Sequence, residues 1–183
     1  MNLPEFIFLS DNVSKKKTGG AEFSFLSLAK TCPQEFLVID TQEIQEEDFE
    51  LLKDKTWIIG NCHYLLERKL LRKLPELKIK YFSIEFDYKI CKYRNPLLCE
   101  HITGTPCDCE IGEIIDFLYG ANKIFFMSDA QRVIYETNVF EYGMGIRDDF
   151  TEYNPKGTIG QKSFTLSSIF EESFFDKIEK IND

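Results

Sequence analysis

The chain lacks the features that place a protein quickly. Lys and Arg number 22 against 31 Asp and Glu, for a net charge of −9. That balance argues against a nucleic-acid backbone as partner, because neutralising phosphates needs cationic side chains in excess. No apolar run reaches the length that spans a bilayer. The N-terminus has no basic stretch followed by an apolar region and a small-residue cleavage site. The expectation is a cytoplasmic protein without a transmembrane segment, whose six cysteines serve as free thiols or metal ligands rather than disulfides. Two phosphate-binding signatures are also missing: there is no G-x-G-x-x-G and no Gly-Lys-Ser/Thr. There is no internal repeat and no low-complexity segment.

What is present is a strand-helix alternation. The 183 residues suit one domain, and 17 phenylalanines are expected to fill much of its interior. Apolar runs at Phe6–Ser10, Phe36–Asp40, Thr56–Gly60, Ile79–Ile84 and Lys123–Met127 read as strands. Helical patterns lie between them: Gly20 to Lys30, with Ala21, Phe25, Leu28 and Ala29 on one face; Glu46 to Lys53; Tyr64 to Leu74, stopped by Pro75; and Glu113 to Tyr119. The fold class predicted is α/β, a three-layer Rossmann-like parallel sheet with helices on both faces. A single domain covers residues 1–183. Residues 85–110 form a long Cys-rich insertion read as irregular, and too long for an ordinary connection. Tyr142 to Gly157 reads as loop. Residues 163–183 read as a last strand, Ser163–Ser167, and a helix, Ser168 to Ile181.

In such sheets ligands bind beyond the carboxyl ends of the strands. Several chemically useful residues fall there. Gly19 and Gly20 open the first helix, followed by Glu22, where free amides and the helix dipole favour an anion. Lys15–Lys17 stand before them as a basic rim or a solvated loop. His63 follows the third strand and is a general-base candidate, or a surface histidine at a helix start. Glu85 and Asp87 follow the fourth and are expected to face opposite ways, one into the cleft. Their alternative is solvation, or pairing with Lys89, Lys92 or Arg94. Ser128 heads a Ser-x-x-Gln capping box, and its helix start can also present amides to a ligand.

Cys91, Cys99, Cys107 and Cys109 lie within 19 residues of one another, with His101 among them. Four soft ligands in a segment without its own core suit a structural zinc. Free thiols, or a disulfide such as Cys99 to Cys107, are the alternatives. Cys32 and Cys62 read as core thiols.

The order of these features resembles the N-terminal Rossmann-like domain of GT-B glycosyltransferases of the family-4 type. Phe6–Ser10 followed by Gly19-Gly20-Ala21-Glu22 resembles that family's opening strand and turn. Trp57–His63 resembles its strand ending in a cleft histidine. Tyr81–Asp87 resembles the next strand, which ends in a His or Asp facing the acceptor. Lys123–Ser128 resembles the strand and serine that close this half. The resemblance runs over about residues 5 to 140. It implies a nucleotide-diphosphate sugar as donor, a sugar or glycan as acceptor, and electrostatic stabilisation of the leaving diphosphate by the Gly19–Gly20 amides.

A full enzyme of that kind has a second Rossmann domain carrying most nucleotide contacts, which this length cannot contain. The expectation is an acceptor-side half, inactive alone, with a dimer through the uncovered cleft face. Glu171 and Glu179 satisfy the family's Glu-x7-Glu spacing but lie on the terminal helix without a Gly-rich turn or a sheet around them, so they are set aside. Two other readings stand beside it. One is a non-catalytic, zinc-stapled binding or interaction module. The other, a self-contained nucleotide-binding enzyme, has Asp40 after strand two but no glycine fingerprint.

Overall fold

A computed structural model describes residues 3–14, 19–107, 109 and 112–135. The strands are β1 (Phe6–Ser10), β2 (Phe36–Asp40), β3 (Thr56–Ile59), β4 (Lys80–Glu85) and β5 (Lys123–Phe126). They form one parallel sheet in the order β2-β1-β3-β4-β5. The chain leaves β1 toward β2 on one side and then crosses to β3 on the other, so the winding reverses at β1. The crevice beyond the ends of β1 and β3 is the topological switch point of a doubly wound sheet. The order 2-1-3-4-5 is one of the two common orders of doubly wound sheets, distinct from the dinucleotide-binding order 3-2-1-4-5-6.

Both faces of the sheet are covered, as the continuous apolar strands require. On one face Phe6 and Phe8 of β1, Ile58 of β3, and Phe82 and Ile84 of β4 meet Phe25 and Ala29 of α1 (Gly20–Ala29). On the other, Ile7, Leu9, Trp57, Ile59, Tyr81 and Ile124 meet four helices. These are α2 (Glu46–Leu51) through Phe49, α3 (His63–Glu67) through Leu65, α4 (Lys73–Glu76) through Leu74, and α6 (Gly112–Gly120) through Ile114, Phe117 and Leu118. The Trp57 indole N–H donates to the Leu52 carbonyl at 3.0 Å. Gly60 lets α1 lie close to the sheet. A Cβ there would stand 2.7 Å from Ser10 Oγ and 2.9 Å from the Phe25 ring.

Three local structures depart from the sequence reading. The helix expected from Tyr64 to Leu74 is broken into α3 and α4. Lys69 takes a left-handed conformation, φ 56°, Lys69 N–H donates to Leu66 O at 3.0 Å, and Leu70 N–H donates to Leu65 O at 2.8 Å. This is a Schellman termination without its usual glycine, and burial of Leu70, Leu71 and Leu74 holds it. Pro75 lies inside α4 rather than ending a helix, tolerated because the first turn needs no amide from it.

The stretch read as irregular contains α5 (Pro96–Thr103). The Asn95 side-chain Oδ1 caps it, accepting from Leu97 and Leu98 N–H at 3.0 and 3.2 Å. Pro96 takes the first position, and Gly104 closes it at φ 73°, so each end carries a standard stop signal.

Ser128 does head a helix, α7 (Asp129–Tyr135). Its hydroxyl accepts from Gln131 N–H at 3.1 Å. The Gln131 side chain reaches back to Met127 N–H at 2.7 Å, one residue before the expected donor. The basic run Lys15–Lys17, the loop at 142–157, the strand and helix read within 163–183, and Glu171 and Glu179 lie outside the described residues.

Candidate functional site

The ends of β1, β2 and β3 are tied together by Asp11, a residue that stands one position past β1. Its backbone N–H donates to Asn61 O at 2.8 Å. Its carboxylate accepts from His63 N–H at 2.8 Å and from the Thr41 hydroxyl. Arg94 approaches the same carboxylate at 3.7 Å. His63 opens α3 with its ring exposed, and Nε2 stands 3.1 Å from Glu67 one turn on. Asp40 is a loop anchor. It accepts from Ser14 N–H at 3.2 Å, the Ser14 hydroxyl at 2.9 Å and Gln42 N–H at 3.1 Å. Burial pushes its carboxyl up, but the bonds from Gln42 and Ser14 outweigh that and hold it below the ordinary value.

Glu85 and Asp87 end in different surroundings. Two positions apart in a strand they would share a face, but β4 ends at Glu85 and the chain bends at Phe86–Asp87. Glu85 is wholly buried. It accepts from the Ser83 hydroxyl at 2.5 Å, Lys89 Nζ at 2.6 Å and the Tyr135 hydroxyl at 2.5 Å. Lys89 Nζ also donates to Ile84 O at 3.0 Å. The single Tyr135 proton goes to Glu85 rather than to the Asp87 carbonyl at 3.1 Å. Burial, then the Glu85 charge, keeps that phenol protonated well above its usual range.

Asp87 is half-buried. Its Oδ2 lies 3.3 Å from Arg94 Nε, while Oδ1 is buried without a partner among the described residues. Burial pushes its carboxyl up, against the pull of Arg94 and then Lys89. Pairing with Lys89 and Arg94 was one of the sequence alternatives for these two acids, and both pairs are present.

Gly19 and Gly20 are exposed at the start of α1. Among the described residues, a Cβ at Gly20 would meet nothing within 4 Å, and one at Gly19 would meet only the Glu22 carboxylate, at 2.7 Å. The fold itself therefore does not require glycine at position 20. Glu22 already places a negative group over the helix start, where the dipole favours one. Ser128, with its hydroxyl spent on Gln131, lies past β5 at the far side of the sheet from β2.

The four clustered cysteines converge. Their Sγ atoms all lie within 4.8 Å of one another and could hold a metal ion. All six cysteines of the chain are free thiols, and Cys99 Sγ and Cys109 Sγ are 3.6 Å apart. Tetrahedral thiolates at the zinc–sulfur distance stand about 3.8 Å apart. Cys91 sits in the turn after β4, where Tyr93 N–H donates to its sulfur at 3.4 Å, and Cys99 is on α5. His101 is exposed on α5 and is not among the converging ligands. Cys32 and Cys62 are buried away from the cluster, and burial pushes the Cys62 thiol up to about 12.

Asp11, Lys89, Arg94 and Tyr135 organise the sheet edge and were not singled out in the sequence as site residues. Asp11 had a readable signal, an acid immediately past a buried strand. Tyr135 had none, because its partner is 50 residues away. The chain matches no protein-family model, no curated protein and no solved structure.

Proposed function

We propose that this chain is the acceptor-side half of a glycosyltransferase that uses a nucleotide-diphosphate sugar, with zinc as the metal of its cysteine cluster. The observation that carries the reading is placement. The solvent-exposed Gly19–Gly20 helix start and the exposed His63 imidazole flank the carboxyl ends of β1 and β3, where a doubly wound sheet reverses. In the reaction, the acceptor hydroxyl oxygen bonds to the sugar's anomeric carbon as the bond from that carbon to the diphosphate oxygen breaks. His63 takes the hydroxyl proton. The nucleoside diphosphate leaves with its charge facing the Gly19–Gly20 amides. Asp87 and Arg94 contact acceptor hydroxyls, and Glu85 positions the end of β4 from within. A second nucleotide-binding domain grips the donor's base and ribose from the opposite side.

Gly20→Ala is a clean probe, because the fold has open space there. The expected result is weak binding of one among UDP-, GDP- and CDP-sugars by calorimetry. Gly20→Ala then lowers that affinity several-fold without lowering the melting temperature. No response to any nucleotide sugar, together with a flat glycan-acceptor screen, refutes the reading. That outcome selects a zinc-stapled interaction module instead. One observation favours the second reading: α5, which carries Cys99, exposes Leu97, Leu98 and Ile102 at 70%, 44% and 53%.

A further inference from the structure

The cysteine cluster and the strand-edge acids are joined by one short turn. Cys91 begins it and Arg94 ends it. Arg94 N–H donates to Cys91 O at 2.8 Å, and Tyr88 N–H reaches Arg94 O at 3.4 Å. Arg94 itself is left-handed, φ 56°, a conformation an arginine keeps only when its surroundings enforce it. From that position its guanidinium reaches both Asp87, at 3.3 Å, and Asp11, at 3.7 Å. Asp11 in turn holds the start of α3. Among the described residues between β4 and α6, few apolar side chains are buried: Ile90, Cys91, Pro96 and Cys99 are, while Leu97, Leu98 and Ile102 are not. Packing alone is therefore a weak restraint on this turn, and a metal cross-link is the strongest one within reach.

We propose that a zinc ion bound by Cys91, Cys99, Cys107 and Cys109 fixes the Cys91–Arg94 turn. Through that turn it seats the Arg94 guanidinium between Asp11 and Asp87 at the β1/β3 switch point. The zinc is structural by its four-thiolate set, with no open position for substrate. Its effect on the sheet edge is indirect, so Arg94 is a positioned residue and the cysteines are not catalytic. Binding converts four thiols to thiolates and releases their protons to solvent. This inference rests on the zinc assignment and needs no sugar chemistry, so it stands or falls separately from the transferase reading.

The test uses the full chain, purified reduced. Elemental analysis should find about one zinc per chain, as a closed four-thiolate site requires. Iron in its place, or less than about a tenth of that zinc content, overturns the proposal. Cobalt(II) exchanged into the site should give thiolate charge-transfer and tetrahedral ligand-field bands. Octahedral cobalt without thiolate bands overturns it. Cys107→Ser and Cys109→Ser should each lose metal, while Cys62→Ser should keep it.

The coupling to Arg94 is read by hydrogen exchange on the wild-type chain before and after chelation, which does not depend on a variant folding. Amides of Tyr88, Cys91, Tyr93 and Arg94 should lose protection, and the Arg94 Nε–H signal should broaden away, while β1 and β3 stay protected. Unchanged exchange at 88–94, or equal loss across β1 and β3, overturns the coupling.

Discussion

Lys89→Met tests the most enclosed interaction of the sheet edge. Lys89 Nζ and Glu85 Oε1 are 2.6 Å apart, with side chains 4% and 0% exposed. At an effective dielectric near 20 their attraction is about 6 kcal/mol. Burial costs several kcal/mol for each ion, so the intact pair adds little net stability. Removing one partner is a different matter. Glu85 would keep only the Ser83 and Tyr135 hydroxyls against a full buried charge, at a cost of about 3–5 kcal/mol. At about 2–4 °C per kcal/mol for a chain of this size, the melting temperature should fall by roughly 6–20 °C. The sole tryptophan, Trp57, is buried on the neighbouring strand β3, so its fluorescence during urea unfolding reports the loss directly. Glu85→Gln combined with Lys89→Met should recover at least half of it, because the uncompensated charge is gone. A single-variant loss under about 1 kcal/mol, or a double variant no more stable than Lys89→Met, would refute the reasoning.

Gly60→Ala should destabilise by about 1–3 kcal/mol, since its Cβ would meet Ser10 Oγ and the Phe25 ring below 3.0 Å; a wild-type melting curve would contradict this. Cys62, with its thiol pushed up to about 12 by burial, should resist alkylation at pH 8 in the native state, and its modification on intact protein by mass spectrometry would count against the core placement. The Asp40 carboxyl sits below its ordinary value of about 4, so its stabilisation is complete above that pH and is lost as pH falls through the lower folded value. Asp40→Asn should therefore flatten the acid limb of the stability curve, and an unchanged limb would rule out Asp40 as its source.

The sheet was legible because its signals are local. Buried parallel strands such as Phe6–Ser10 carry unbroken apolar runs, and each falls within a residue or two of where the periodicity puts it. The convergence of Cys91, Cys99, Cys107 and Cys109 was legible from their crowding in one loop, although His101, equally close in sequence, stays out of it. The break between α3 and α4 was not legible, because Lys69 does the work usually done by glycine. Helix α5 was readable from Asn95-Pro96 and Gly104, but a cysteine-rich context masks such signals when apolar periodicity is the guide. The pairings of Asp11 with Thr41 and of Glu85 with Tyr135 depend on which strands become neighbours. No reading of spacing supplies that before the strand order is known.

Strand order also decides which polar groups at the edge are left without a partner. Asp40 spends its oxygens on Ser14 and Gln42, and Glu85 on Ser83, Lys89 and Tyr135. Asp11 is engaged by His63 N–H, Thr41 and Arg94. These three carboxylates are committed to the fold, so chemistry assigned to them would have to break it. Asn61 Oδ1 and Asp87 Oδ1 differ, being buried acceptors without a partner among the described residues. Each such atom costs about 1–3 kcal/mol while it stays unmet. Asn61 adjoins Asp11 through a backbone bond and Asp87 adjoins it through Arg94, whereas a third such atom, Glu113 Oε2, lies on α6. A hydrogen-bond donor admitted to either Asn61 Oδ1 or Asp87 Oδ1 would gain what the free protein forgoes. The polar groups left unsatisfied at the switch point thus stand beside Arg94, whose left-handed turn begins at Cys91.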